Sequence, residues 1–225
     1  MGGDAGIIEF LHRHAPPLIE GLRVTLQLTV GGATCAALLA MLAGLGRRSC
    51  RRWLRWPASV YVEVFRGTSA MVQLFWFYFA LPFFGLSLPA LVTGILVLGL
   101  NAGAYGAEVV RSAIDSVPRG QWEAGRALNL GETRVLWRIA IPQALPMMLP
   151  PAGSLLVELM KNTALVSLIT LSELTFAAQV QRAATLDTVP LFALTLLIYF
   201  VLAQLLLTGM RRLERAVTRH RGGRA

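Results

Sequence analysis

The sequence predicts an all-α polytopic membrane protein with five transmembrane helices, organised as a single domain over residues 1–225. Hydrophobic residues make up 55% of the chain, and the mean hydropathy is +0.59, which is high for a soluble globular protein. Several apolar segments approach the roughly 20 residues that a helix needs to cross a bilayer. Arginines gather beside some ends of these segments and are scarce beside the others, a distribution typical of multi-pass membrane proteins.

The apolar segments give the order of the predicted spans. They cover residues 22–45, 67–86, 89–110, 152–171 and 190–210. Before the first span, residues 1–20 either form a short amphipathic helix on the membrane surface or are disordered. Residues 172–188 predict a short amphipathic helix outside the membrane or at the interface. At the start of the second span, Glu63 and Arg66 are three residues apart on one helix face, which predicts an ion pair.

The arginines predict the orientation. Three segments are rich in arginine, namely 47–55, 111–138 and 211–224, whereas the segments on the opposite side hold only Arg13 and Arg182. Because positively charged loops stay on the cytoplasmic side, the three rich segments are expected in the cytoplasm. With five spans, the N-terminus is then outside and the C-terminus cytoplasmic.

A polar stretch, residues 117–142, separates the third and fourth spans and carries too many charges to lie in lipid. Its pattern predicts two short helices. The first covers residues 117–128 and is followed by a turn at Asn129 and Gly131, two residue types that tolerate left-handed backbone angles. The second helix is expected to end at Ile141, because a proline follows directly.

Several function classes are excluded or disfavoured by the sequence. The net charge of +9 does not indicate nucleic-acid binding, because the basic residues lie beside apolar segments. No GxxxxGK[ST] phosphate loop is present, and the single lysine is Lys161, so ATP-driven work needs a partner subunit. No HExxH, CxxC or GxSxG pattern indicates an enzyme or a metal site. The histidines are near the termini and are expected to be exposed to solvent, namely His12, His14 and His220.

Three polar residues inside the spans are candidates for a substrate path. Glu158 and Asn162 are four residues apart and share a helix face, where a carboxylate and a carboxamide can bind the two charges of a zwitterion. Alternatively, Glu158 neutralises Lys161, three residues on, and both only support packing. Asn101 in the third span is the other candidate, with the alternative that it hydrogen-bonds a neighbouring helix.

The polar stretch resembles the "EAA" loop of ABC-importer permeases. That loop has the spacing Glu-Ala-Ala, three residues, Gly, nine residues, Ile, one residue, Leu-Pro, and the sequence here reads QWEAGRALNLGETRVLWRIAIP. The matching residues are Glu123, Ala124, Ile139 and Pro142, and those that differ are Gly125, Asn129 and Ile141. The resemblance implies that this loop is the coupling segment that contacts a cytoplasmic ATPase, through Glu123, Ala124, Gly125, Arg126, Leu128 and Asn129.

Two further runs resemble the polar-amino-acid branch of these permeases. EVFRGTS at residues 63–69 is similar to its ELFRGTP segment, with Ser69 in place of proline, and ELMKNTAL at residues 158–165 is similar to its ExxKNTSL run. The resemblance implies a type I ABC-importer permease of the bacterial inner membrane, which carries a polar amino acid or similar zwitterion. The implied partners are cytoplasmic ABC ATPase subunits, a second like permease subunit, an extracytoplasmic substrate-binding protein and membrane lipid. ATP and magnesium would bind the ATPase, and this chain would bind no cofactor.

Other functions remain possible from sequence alone. The same class of importer can carry a compatible solute such as ectoine, or an opine. A non-transporting scaffold subunit would also have the spans and the basic loops, but it would have no need of the EAA spacing. A secondary carrier is disfavoured, since no internal repeat is visible.

Overall fold

The computed structural model describes residues 3–222, with side chains described for residues 14–218. All regular structure in this range is helical, in agreement with the predicted class. The α-helices are α1 (Gly3–Arg48), α2 (Arg52–Gly67), α3 (Ala70–Phe75), α4 (Ala90–Asp115), α5 (Arg119–Ala127), α6 (Glu132–Val135), α7 (Ile141–Asn162), α8 (Leu174–Thr185) and α9 (Thr188–Gly222). π- or 3₁₀-helical turns extend α3 (Trp76–Ala80 and Leu81–Phe84), α6 (Leu136–Ala140) and α7 (Thr163–Ile169).

Four helical runs in the described chain are long and apolar enough to cross a membrane. They are His14–Arg48, Ala90–Asp115, Glu132–Ile169 and Thr188–Thr218. A fifth candidate exists if α2 and the helix that follows it form one broken span, because these two meet at an angle of 107°. The number of candidate spans is therefore four or five.

The second predicted span, residues 67–86, is not one straight helix. α2 begins inside the predicted basic loop and ends at Gly67, and Thr68 then adopts an extended backbone with φ −121° and ψ 154°. The next helix starts at Ala70. An extended residue interrupts the ladder of helical hydrogen bonds, so the axis can turn sharply there. The length of the apolar segment, from which the span was predicted, gave no information about this break.

The second helix of the polar stretch continues much further than predicted. α6, its π-helical turn and α7 form one run from residue 132 to residue 162, so Ile141 is in the interior of this run. A proline has no N–H for the helical ladder, but Pro142 is the second residue after the wider π-helical turn, where the register of hydrogen bonds changes. The expectation that the helix ends at Ile141 was therefore wrong.

The first span also extends beyond its predicted limits of 22–45. α1 continues without interruption through Pro16 and Pro17 to Arg48. The apolar side chains on which the surface-helix alternative rests, at residues 7–11, lie outside the described side chains. Residues 172–188, predicted as a short helix, contain α8.

Close contact between α1 and α4 forms the centre of the bundle. A Cβ atom on Gly99 would lie 2.7 Å from Cβ of Cys35, and one on Gly44 would lie 2.8 Å from Cβ of Val110. Small residues of this kind let helix backbones approach, which is the main source of helix association in lipid. α4 packs in turn against α7, and α7 against α9. This order brings the polar residues of α4 and α7 to one groove.

Candidate functional site

The polar stretch forms a helix, a turn and a second helix at one end of the bundle. Asn129 has φ 56°, so the left-handed turn predicted there is confirmed. Gly131 instead has an extended backbone, with φ −61° and ψ 150°. The N–H of Leu130 donates to the carbonyl of Gly125 over 3.0 Å, and that of Asn129 donates to the carbonyl of Arg126 over 2.8 Å. These bonds close the end of α5 in the way that helices with a left-handed C-terminal residue usually do.

Five of the six residues predicted to contact a partner are exposed on this segment. They are Glu123, Ala124, Arg126, Leu128 and Asn129. Leu128 exposes 74% of its surface, although a leucine in contact with water is unfavourable. The guanidinium of Arg126 lies 3.4 Å from the carboxylate of Glu132. The segment therefore presents an apolar tip beside charged side chains.

Gly125, the sixth predicted residue, is buried beneath the second helix. A Cβ atom at this position would lie only 2.6 Å from Cγ2 of Val135, a distance that real Cβ contacts do not reach. The departure from alanine in the sequence motif has a steric reason: glycine lets α5 and α6 approach. Gly125 supports the segment from inside and does not present a side chain to a partner.

Two residues that the sequence did not single out attach this segment to the bundle. The guanidinium carbon of Arg48, at the end of α1, lies 5.0 Å from the ring centroid of Trp122. The same guanidinium forms an ion pair of 3.0 Å with Asp115, at the end of α4. Trp122 also packs against a buried cluster that includes Ile114 and Val117. α5 is thereby connected to both α1 and α4.

A second charged cluster surrounds Glu108 of α4. Its carboxylate contacts the guanidinium groups of Arg47, of Arg66 at 3.2 Å and of Arg111 at 3.1 Å. Arg66 is the last charged residue before the break after α2, and its guanidinium also lies 5.2 Å from the ring centroid of Tyr105. Arg66 therefore pairs across to α4, and the described ion pairs do not include the predicted one with Glu63. Sequence proximity favoured Glu63, whereas the packing of α2 against α4 brings Arg66 to Glu108.

Asn101, Glu158 and Asn162, the three predicted path residues, line one recess between α4 and α7, together with Tyr105. Glu158 is exposed, and no ion pair between it and Lys161 is among those of the described side chains. The recess is narrow in this structure, with a volume of about 10 Å³, so α4 and α7 have to separate before a substrate can reach the Glu158 carboxylate there. No group of three or more potential metal ligands occurs in the described part of the chain.

Asn101 also has a structural role. Its amide N–H₂ donates to the carbonyl of Phe65 over 3.0 Å and to the side-chain oxygen of Gln73 over 3.3 Å. Gln73 itself donates to the Phe65 carbonyl over 3.0 Å and to Oγ1 of Thr68 over 2.7 Å. These bonds satisfy a carbonyl that loses its helical partner at the break. The structure therefore contains the alternative predicted for Asn101, a hydrogen bond to a neighbouring helix.

Buried polar residues hold the opposite end of the bundle. His14 is only 1% exposed and contacts the side chain of Gln181 through Nδ1, so the expectation of a solvent-exposed histidine was wrong for His14. The side chains of His12 and His220 lie outside the described ones. Glu173 caps the N-terminus of α8 and accepts hydrogen bonds of 2.8 Å from the backbone N–H groups of Thr175 and Phe176. Burial raises the pKa of the Glu173 carboxyl.

Comparison with known proteins agrees with this arrangement. Residues 36–219 match the family described as binding-protein-dependent transport system inner membrane component. The chain is 44% identical over 219 residues to a probable amino-acid ABC transporter permease protein, y4tF, of Sinorhizobium fredii, covering 95% of this chain and 92% of the relative. It is 35% identical to the L-cystine transport system permease protein TcyB of Bacillus subtilis, covering 91% and 88%.

A solved structure has the same fold. The crystal structure of an amino acid ABC transporter with histidines superimposes with a TM-score of 0.84 at 32% identity, covering 92% of this chain and 96% of the other. The family match includes the exposed segment around α5, the recess between α4 and α7, and most of the helices that hold them. The chain therefore belongs to the family of binding-protein-dependent transport system inner membrane components and is a multi-pass protein of the inner membrane.

Proposed function

We propose that this chain is the permease subunit of an ATP-driven ABC importer and forms the path for a polar amino acid or a similar small zwitterion. Relatives that match nearly the whole chain are described as permeases for amino acids or L-cystine, which supports this substrate class over a compatible solute. An octopine transport system permease protein, 34% identical, is also among the relatives, and an opine is itself an amino-acid derivative, so it belongs to the same class of small zwitterions. Membership of a transport family also speaks against a non-transporting scaffold. ATP hydrolysis belongs to a separate subunit, where ATP and magnesium bind.

The proposed topology has five spans, with α2 and α3 as the two halves of one broken span. The N-terminus is outside and the C-terminus is cytoplasmic, because the arginine-rich segments belong on the inner side. This orientation places α5 in the cytoplasm, where an ATPase can reach it. The proposed partners are two ATPase subunits, a second permease of the same or similar sequence, and an external binding protein that delivers the substrate.

The coupling role is supported by one observation: the tip of α5 is exposed, while the helix itself is attached to the bundle. Leu128 and the charges of Glu123 and Arg126 face outward, whereas Trp122 is tied to α1 and α4 through Arg48. When ATP closes the ATPase dimer, a tip docked on it has to move, and the attached helices move with the tip. The path would then open toward the outside.

For the substrate path we propose the recess lined by Glu158, Asn162 and Asn101. The exposed carboxylate of Glu158 would bind the substrate ammonium group, and the amide of Asn162 would bind its carboxylate. Glu158→Gln should then reduce the substrate-stimulated ATPase activity of the reconstituted complex more than the basal activity. Equal effects on both activities would instead indicate that Glu158 only supports packing.

Reversal of one charge tests the coupling role. Glu123→Arg should abolish amino-acid uptake by proteoliposomes that contain the whole complex, while the chain remains inserted in the membrane. Glu214→Arg is the matched control, because it makes the same change of charge on the C-terminal helix, away from α5. Normal uptake by the Glu123 variant would show that α5 does not couple this chain to the ATPase.

A further inference from the structure

The arginines between the first two helices divide into two groups. Arg47 and Arg48 are engaged inside the protein, with Glu108 and Asp115. Arg51, Arg52 and Arg55 are exposed and do not occur among the ion pairs of the described side chains. Three like charges within about one helical turn repel one another. A negatively charged ligand at this position would relieve that repulsion.

Two tryptophans lie among these three arginines. Trp53 and Trp56 are three residues apart at the start of α2 and expose 67% and 71% of their surface. Val60 and Val64 continue the exposed apolar face along the same helix. Tryptophan is enriched where membranes meet water, because its ring is apolar and its N–H can bond to polar groups. The exposed tryptophans at the start of α2 are thus typical of a helix that lies at the depth of the lipid headgroups.

A groove opens beside these residues. It has a volume of about 630 Å³ and is lined on one side by the aliphatic side chains of Leu42, Leu45 and Leu54 and on its rim by Arg48 and Arg51. Leu42 is 71% exposed, and Leu38, one turn deeper along α1, is also exposed. Apolar surface thus continues from the arginine rim toward the interior of the membrane. The acidic residue of the groove, Glu132, is within ion-pair distance of Arg126.

We propose that this groove binds an anionic phospholipid of the leaflet at the arginine-rich end of the bundle. Arg51, which lines the groove, binds the phosphate, for which the planar guanidinium group is suited, and Arg52 and Arg55 add to the positive field. An acyl chain lies along Leu42 and Leu38. Because Trp122 of α5 also lines the groove, the bound lipid supports the segment that is proposed to contact the ATPase. Lipid binding does not depend on that proposed role.

A comparison of two charge-matched variants tests the proposal on the whole purified complex. Arg51, Arg52 and Arg55 are changed together to Gln, and in the control the exposed Arg211, Arg212 and Arg215 of the C-terminal helix are changed to Gln. Each complex is titrated with dioleoyl phosphatidylglycerol or dioleoyl phosphatidylcholine. The thermal midpoint of each complex is measured, and the lipid that it retains is determined by native mass spectrometry. Each arginine beside a bound headgroup contributes about fivefold in affinity, so the groove variant should bind phosphatidylglycerol at least tenfold more weakly. The control arginines do not line the groove, so the control should keep this binding.

The expected result is a preference of the wild type and the control for phosphatidylglycerol that the groove variant lacks. Equal losses in both variants would overturn the site in favour of a general charge effect. Release of the ATPase by the groove variant with unchanged lipid retention would overturn it in favour of a protein contact. If the groove variant does not assemble, the titrations of the wild-type complex test the proposal alone. Equal shifts of its thermal midpoint with both lipids would also overturn the proposal. If the Glu123 variant loses uptake but retains lipid normally, the lipid site is shown to be independent of the coupling role of α5.

Discussion

Arg48 connects α1 to α5 because its guanidinium lies over the ring of Trp122, with 5.0 Å between the guanidinium carbon and the ring centroid. The same group pairs with Asp115 at 3.0 Å and so reaches α4 as well. Asp115 is in turn 4.0 Å from Arg111, which contacts Glu108. One continuous set of charged contacts therefore runs from α5 to the carboxylate that holds Arg66 at the broken helix.

Arg48→Gln should weaken the link between ATP hydrolysis and transport. The variant loses the contact with Trp122 and the ion pair with Asp115, which together contribute about 1 kcal/mol at a partly exposed site. The fold should persist, while the amount of amino acid taken up per ATP hydrolysed falls several-fold in proteoliposomes. Arg212→Gln, which removes an exposed charge on α9, is the control. An unchanged uptake per ATP would show that this contact is not needed for coupling.

Restoring the family's alanine at position 125 should destabilise this protein. A helix interior normally gains up to about 1 kcal/mol when glycine becomes alanine. Here the new methyl group would meet Val135 at 2.6 Å, and overpacking of this kind costs about 1–3 kcal/mol. Gly125→Ala should therefore lower the thermal midpoint of the complex and weaken retention of the ATPase.

A second substitution tests the stated cause of that loss. Val135→Ala makes room for the new methyl group, so the double variant should lose less stability than the sum of the two single variants. Simple additivity, or a higher midpoint for Gly125→Ala alone, would contradict a steric conflict with Val135.

The sequence predicted features that depend on local patterns. Apolar length revealed the helical class, and the left-handed turn at Asn129 followed from the residue type. The contacts that depend on distant parts of the chain were not predictable. Gln73 and Phe65 meet only because the chain turns by 107° between them, and Arg66 reaches Glu108 because α2 packs against α4. A buried glutamine in an apolar run, shortly after Gly-Thr-Ser, was the available signal.

Two asparagine variants should separate support of the fold from contact with substrate. Asn101→Leu removes donors to the Phe65 carbonyl and to Gln73, so it should destabilise the protein by about 1–3 kcal/mol, with little change in the substrate concentration for half-maximal uptake. Asn162→Leu should have the opposite profile, with a changed concentration dependence and a nearly unchanged thermal midpoint. Both quantities are measured on the reconstituted complex. A large change in concentration dependence for Asn101→Leu alone would assign the substrate contact to α4.

The buried carboxyl of Glu173 should make the stability of this protein depend on pH. Burial raises the pKa of this carboxyl in the folded state, so the folded protein holds the proton more tightly than the unfolded chain does. The associated stability is fully present below the ordinary pKa of glutamate and is lost as the pH rises through the raised value. Glu173→Gln keeps a side-chain oxygen for one of the N–H groups of α8 but cannot titrate. Its thermal midpoint should therefore fall less between about pH 4 and pH 8 than that of the wild type.

Glu20→Gln, at an exposed position of α1, is the control and should keep the wild-type slope. If the Glu173 variant also keeps that slope, the pH dependence arises elsewhere, and the carboxyl is compensated by its bonds to Thr175, Phe176 and Tyr199.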